Sequence, residues 1–88
     1  PKEITIKRDG ILFGPKGKHQ IAFKDVAVWT SSGDKRYFIT AGIFSPGPTP
    51  LVVPVADGPA PAMRVVHSEI KSAWSKFSAE NGIGHHTS

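Results

Sequence analysis

The feature that most constrains this chain is a change of period near residue 57. Up to Ala56 apolar residues tend to alternate with polar ones, and from Pro61 to Glu80 they recur at three- and four-residue steps. Met63, Val66, Ile70, Ala73, Trp74 and Phe77 then share one stripe of a helix. Arg64, His67, Ser68, Lys71, Ser72, Ser75 and Lys76 fall mostly on its other faces. The stripe predicts burial of Met63, Val66, Ile70, Trp74 and Phe77. Asp57-Gly58-Pro59-Ala60-Pro61 reads as a breaker and a helix start, because proline is tolerated in the first helical turn. Asp57 just upstream suits the positive end of the helix, and Asn81-Gly82 supplies a stop. Strands first and one long helix last is an α+β order. The expectation is a strongly bent antiparallel sheet of about five short strands, followed by one C-terminal amphipathic helix packed on it. Residues 1–82 read as a single domain, and 83–88 as a disordered tail.

Ile21 to Thr40 reads as the centre of the strand region, two strands joined by Ser-Ser-Gly-Asp. Val26 and Val28 alternate with Ala27 and Trp29, and Tyr37 and Ile39 alternate with Phe38 and Thr40. Both faces carry apolar groups, so the hairpin is expected to lie on a core with one face and to be covered or used for binding on the other. Upstream, Glu3 to Lys7 alternates as a first strand, Arg8-Asp9-Gly10 is a tight turn, and Ile11 to Phe13 is a second short strand. The loop Gly14 to Gln20 is glycine-rich, basic and free of acid, and is expected to be mobile. Lys24-Asp25 interrupts the apolar pattern and marks a bend or bulge. Downstream, Pro46, Pro48 and Pro50 make a stiff surface loop. Leu51 to Ala56 is the last strand, and Pro54 confines it to a sheet edge or a bulge.

A chain of 88 residues is one domain. Such a chain buries only about 60–65% of its unfolded surface. The chain has no cysteine, which excludes disulfides and thiolate metal sites and fits a reducing compartment. No apolar run reaches membrane-spanning length and no signal-like segment opens the chain. Pro1 is read as following a removed initiator methionine, and the location as cytoplasmic. The shortage of staples, the width of the helix stripe and the exposed edge at Leu51 to Ala56 together predict a homodimer through the helix or a sheet edge.

Signatures of catalysis are missing. There is no Cys and no G-x-S-x-G elbow, and Asp9, Asp25, Asp34 and Asp57 each sit at a turn that explains an aspartate locally. Read as an N-terminal secondary amine, Pro1 would need a pocket to act, and PKEITIK specifies none. Of the histidines, His85 and His86 are adjacent without further ligands, and His19 and His67 stand apart. No enzyme activity, metal or cofactor is expected. The loop Gly14 to Gln20 departs from a Walker A motif, because the glycine spacing is too short and His19 follows Lys18.

What remains is a basic and aromatic set. Lys7, Arg8, Lys16, Lys18, Lys24, Lys35 and Arg36 interleave with Phe13, Phe23, Trp29, Tyr37 and Phe38. Eleven Lys and Arg against seven Asp and Glu give a formal charge of +4, which favours an anionic partner. Cations that track phosphates and aromatic faces that stack bases are how single strands are held. The reading is a small non-enzymatic nucleic-acid-binding protein for single-stranded DNA or RNA. Its site comprises Lys7, Arg8, Lys16, Lys18, Lys24, Trp29, Lys35, Arg36 and Tyr37. Trp29 and Tyr37 have an equally simple reading as sheet-face packing.

The order of elements resembles two known outlines. One is the sheet-plus-helix unit of small single-strand-binding proteins of the transcription-coactivator and Whirly type. The other is a short pleckstrin-homology-like barrel capped by its helix. No residue motif of either is matched, so no site carries over. The second outline implies the alternative function, a protein–protein interaction module whose sheet edge or proline-rich loop meets an acidic protein surface.

Overall fold

The computed structural model describes residues 4–82, in which six strands and a closing helix make an α+β fold. The first sheet holds β1 (Thr5–Ile6), β2 (Gly10–Phe13) and β3 (His19–Ala22), antiparallel and in sequence order. The second holds β4 (Val26–Ser32), β5 (Arg36–Ile43) and β6 (Leu51–Pro59), arranged in the same way. The helix α1 follows at once, Ala60–Glu80. Six strands in two small sheets thus replace the single bent sheet of about five.

The division falls where the alternating pattern lapses. Phe23–Asp25 forms a 3-10 turn between β3 and β4, so Ile21 and Ala22 belong to the first sheet. Phe23 leaves the ladder and turns inward. It is fully buried, meets the Trp29 ring edge-on at 6.3 Å and lies 5.9 Å from the Phe77 ring. Aromatic contacts of this kind add to the gain from burial itself. Backbone hydrogen bonds pin the turn on both sides, Phe23 N–H to the Asp9 carbonyl and Phe44 N–H to the Asp25 carbonyl, each 2.9 Å.

The central hairpin is β4 and β5. Gly33 at its turn has φ 125° and lies so near the Arg36 carbonyl that a Cβ there would approach to 2.0 Å. Only glycine fits. The inward face carries Trp29 opposite Ala41, both buried, and the outward face carries Val28 opposite Gly42.

β6 lies at a sheet edge and is also bulged, the two settings that tolerate Pro54. Ile39 faces Ala56 while Thr40 faces Pro54, so Val55 is the extra residue, and it is buried. The expected breaker at Asp57 to Pro61 corrects to a continuous strand through Pro59 that runs directly into α1. The long partner β5 keeps β6 paired as far as Arg36 opposite Pro59. Ala60 N–H then bonds the Lys35 carbonyl at 3.1 Å, fixing the helix start to the hairpin turn. Asp57 does not serve the helix end; its carboxylate is taken by Arg36.

α1 packs its stripe on the core, with Ile70 and Trp74 buried. Met63, Val66 and Phe77, expected to be buried, are half-buried at the margins of the contact. A three-stranded sheet is too narrow to cover the whole stripe. The core joins both sheets to the helix through Ile11, Ile21, Val26, Ile39, Ala41 and Val55. Asn81 stops the helix by bonding the Phe77 carbonyl through both its backbone N–H and its Nδ2. Pro1, His85, His86 and the segment 83–88 lie outside the described residues. No helix among the described residues is long and apolar enough to cross a membrane.

A candidate binding groove along the open sheet edge

β6 pairs with β5 on one side only. This strand lines a groove of about 580 Å³, within the size range of ligand sites. Five consecutive β6 residues, Val53 to Asp57, form its length, with Phe38, Ile39 and Thr40 of β5 beside them. Five strand residues span about 17 Å. The facing wall comes from the first sheet: Phe13, Gly14 and His19. His19 packs on Phe13 with ring centroids 5.4 Å apart. Gly14, at φ 83°, lets that imidazole approach where a Cβ would meet its Cδ2 at 2.4 Å.

The groove is mostly apolar. Its polar side chains are His19, Thr40 and Asp57. Thr40 shares a hydroxyl hydrogen bond with Thr30 across the hairpin. Asp57 Oδ2 accepts from Arg36 Nε at 2.8 Å and sits 2.7 Å from its Nη2. Phe38 keeps 47% of its surface exposed at the mouth.

The residues assigned to a nucleic-acid site do not form one patch; the basic ones fall at three separate places. Lys7 and Arg8 lie in the β1–β2 turn, and Lys24 lies in the 3-10 turn bonded to it through Phe23 and Asp9. Arg8 comes within 3.9 Å of Glu80, at the end of α1. Lys35 and Arg36 lie at the other end of the helix, beside Ala60. A helix of 21 residues puts about 31 Å between these ends. Lys16 and Lys18 occupy the β2–β3 loop, between the groove residues Gly14 and His19. That loop folds as a 3-10 turn closed by Gly17 N–H to Gly14 O and Lys18 N–H to Pro15 O, at 3.0 and 3.2 Å. Lys16 itself adopts φ 58°, uncommon for a side-chain-bearing residue. Trp29 is buried in the core and offers no face for stacking. Tyr37 is half-buried, with the Arg64 guanidinium 5.4 Å from its ring centre.

A polar cluster at the sheet–helix interface was not visible in the sequence. Ser31 Oγ donates to Tyr37 Oη at 3.2 Å and lies 3.1 Å from His67 Nδ1. The Ser31 bond holds the Tyr37 phenol below its ordinary range against the effect of burial, and Arg64 adds to the lowering. Burial lowers the His67 pKa and the Lys71 charge adds to this, while the Trp29 carbonyl opposes them. His67 Nε2 is buried with no hydrogen-bond partner among the described residues. A Ser–His pair at this distance is the start of a nucleophile–base arrangement. Neither residue lines the groove, however, and the pair joins α1 to β4. Residues 36 apart in sequence share no period or motif that predicts the meeting.

Among the described residues no group of three or more His, Cys, Asp or Glu is placed to hold a metal ion. Comparison with protein-family models, with curated proteins and with solved structures gives no match to this chain.

Proposed function

We propose that this protein is a non-enzymatic interaction module that receives an extended segment of another protein along β6. One observation carries the reading: a mostly apolar groove, five strand residues long, lies beside a strand edge that no other strand covers among the described residues. Extended segments bind such edges by main-chain pairing and by placing alternate side chains into the groove. The test is fluorescence anisotropy with labelled seven-residue peptides carrying apolar residues at alternate positions. Saturable binding is expected, with affinity reduced at least about tenfold by Phe38→Asp, a loss of about 1.4 kcal/mol. Phe38 is 47% exposed but stands opposite Asp57, so the variant is expected to fold with a modestly lowered melting temperature. No binding, or binding indifferent to Phe38→Asp, overturns the proposal.

Single-stranded nucleic acid is a second reading, supported by exposed Lys16, Lys18 and Lys35, which make no ion pair with a described residue. Salt separates the two. Binding through several phosphate contacts weakens by orders of magnitude between about 50 and 200 mM salt, while a largely apolar peptide contact changes far less.

A homodimer is proposed at the other edge of the second sheet. β4 contains no charged residue and no proline, and its outer side pairs with no strand among the described residues. Such an edge is a template for pairing with a second copy. Sedimentation equilibrium that gives a single-chain mass at all concentrations rejects it. The cytoplasm is proposed as the compartment, on the lack of cysteine alone.

A further inference from the structure

The preceding reading leaves the chemistry of the partner segment open. Resting on that reading, we infer that the segment is acidic: apolar at alternate positions along the groove, with carboxylates beside the β2–β3 loop.

The argument is one of charge complementarity. The loop from Gly14 to Gln20 holds no acidic residue, and its two ends form the groove wall. Lys16 and Lys18, between those ends, are exposed and have no carboxylate partner among the described residues. Two 3-10 hydrogen bonds close the turn that carries Lys16 in a left-handed conformation. The one carboxylate in the groove, Asp57, is held by two guanidinium nitrogens of Arg36. Asp34 lies in the hairpin turn, next in sequence to Lys35 and Arg36. A segment entering the groove therefore meets uncompensated positive charge at the loop and little free negative charge along its length. Complementary charge of this kind selects among partners that share the same apolar pattern.

Pro54 sharpens the picture. Its missing N–H removes a donor at the second of the five β6 residues that line the groove. A continuous main-chain ladder along β6 is interrupted there, so side chains and charge carry a larger share of the recognition than in an unbroken strand addition.

The experiment compares three labelled seven-residue peptides with identical apolar positions. Their terminal polar positions hold glutamate, glutamine or lysine, and anisotropy is read at low and at high salt. The glutamate peptide is expected to bind about tenfold more tightly than the glutamine peptide, the effect of two modest charge pairs, and the lysine peptide more weakly than either. In Lys16→Ala/Lys18→Ala the glutamate and glutamine peptides are expected to bind alike. High salt should compress the same difference. Equal binding of all three peptides overturns the acidic-segment inference and leaves the groove reading standing. A preference for glutamate that survives the double substitution overturns the role of the loop. Failure of all three to bind removes both the inference and the reading beneath it.

Discussion

The two sides of the second sheet use similar residues to opposite ends. On the side that meets α1, Trp29, Ile39, Ala41, Ile70 and Trp74 are almost wholly removed from water. Toward the open edge, Phe38, Leu51 and Val52 keep 47, 61 and 64% of their surface. Side-chain chemistry does not separate these groups; pleat parity and strand position do. Ile39 and Phe38 are neighbours in β5 and both border the groove, yet the one-residue step leaves Ile39 wholly buried and Phe38 half exposed at the mouth. A period-two apolar strand shows that two faces exist, and the placement of the helix decides which of them stabilises the fold.

The largest expected effect breaks the buried side. Trp74→Ala should cost about 3–5 kcal/mol in chemical denaturation, because its site is closed by both sheet and helix. Phe38→Ala should cost less than about 1 kcal/mol and act on binding instead. If the two substitutions destabilised equally, the contrast between the faces would fail.

A second, smaller effect is a pH dependence confined to the buried side. His67 has a lowered pKa in the folded state, chiefly through burial. Below its ordinary value of about 6.5 the unfolded chain takes up that proton more readily than the folded one. This contribution to stability is complete above that value and declines as pH falls toward the lowered folded value. His67→Gln should flatten that part of the stability-against-pH curve, measured by urea denaturation at stepped pH. An unchanged slope would show that the imidazole is not confined between Ser31 and the helix.

The smallest effects belong to the open side. Arg36→Ala should cost about 1 kcal/mol, since the Arg36 side chain is 60% exposed while Asp57, which it contacts through two nitrogens, is only 19% exposed. It should nevertheless weaken an acidic peptide, by removing a positive charge beside the groove. Lys16→Ala/Lys18→Ala should leave the melting temperature in place, as the lysine side chains lie outside the core. A marked drop would mean that the loop supports the fold as well as the groove.

Much of the architecture was legible because it rests on local rules. The switch of period placed α1 to within one residue of its start and at its observed end. Pro54 signalled an edge or a bulge, and β6 has both; Lys24-Asp25 marked the turn between sheets. The continuation of β6 through Gly58 and Pro59 was hidden, because pairing with β5 overrode two residues that locally read as breakers. The groove was hidden for a different reason. Its walls come from β2, β3, β5 and β6, and no period or spacing links Phe13 and His19 to Phe38 and Val55. The basic residues were legible as a composition, while their division between the two ends of α1 depended on how two hairpins stack.

The central claim is that the open β6 edge is where this protein meets its partner. Backbone amide NMR of the labelled protein, titrated with the glutamate-flanked apolar peptide, tests it most directly. The account predicts shifts concentrated at Phe13, Gly14, His19, Phe38 and the β6 residues that line the groove, with Lys7, Arg8 and Lys24 unmoved. Shifts centred on that distant basic end, or spread evenly over both ends of the helix, would contradict it.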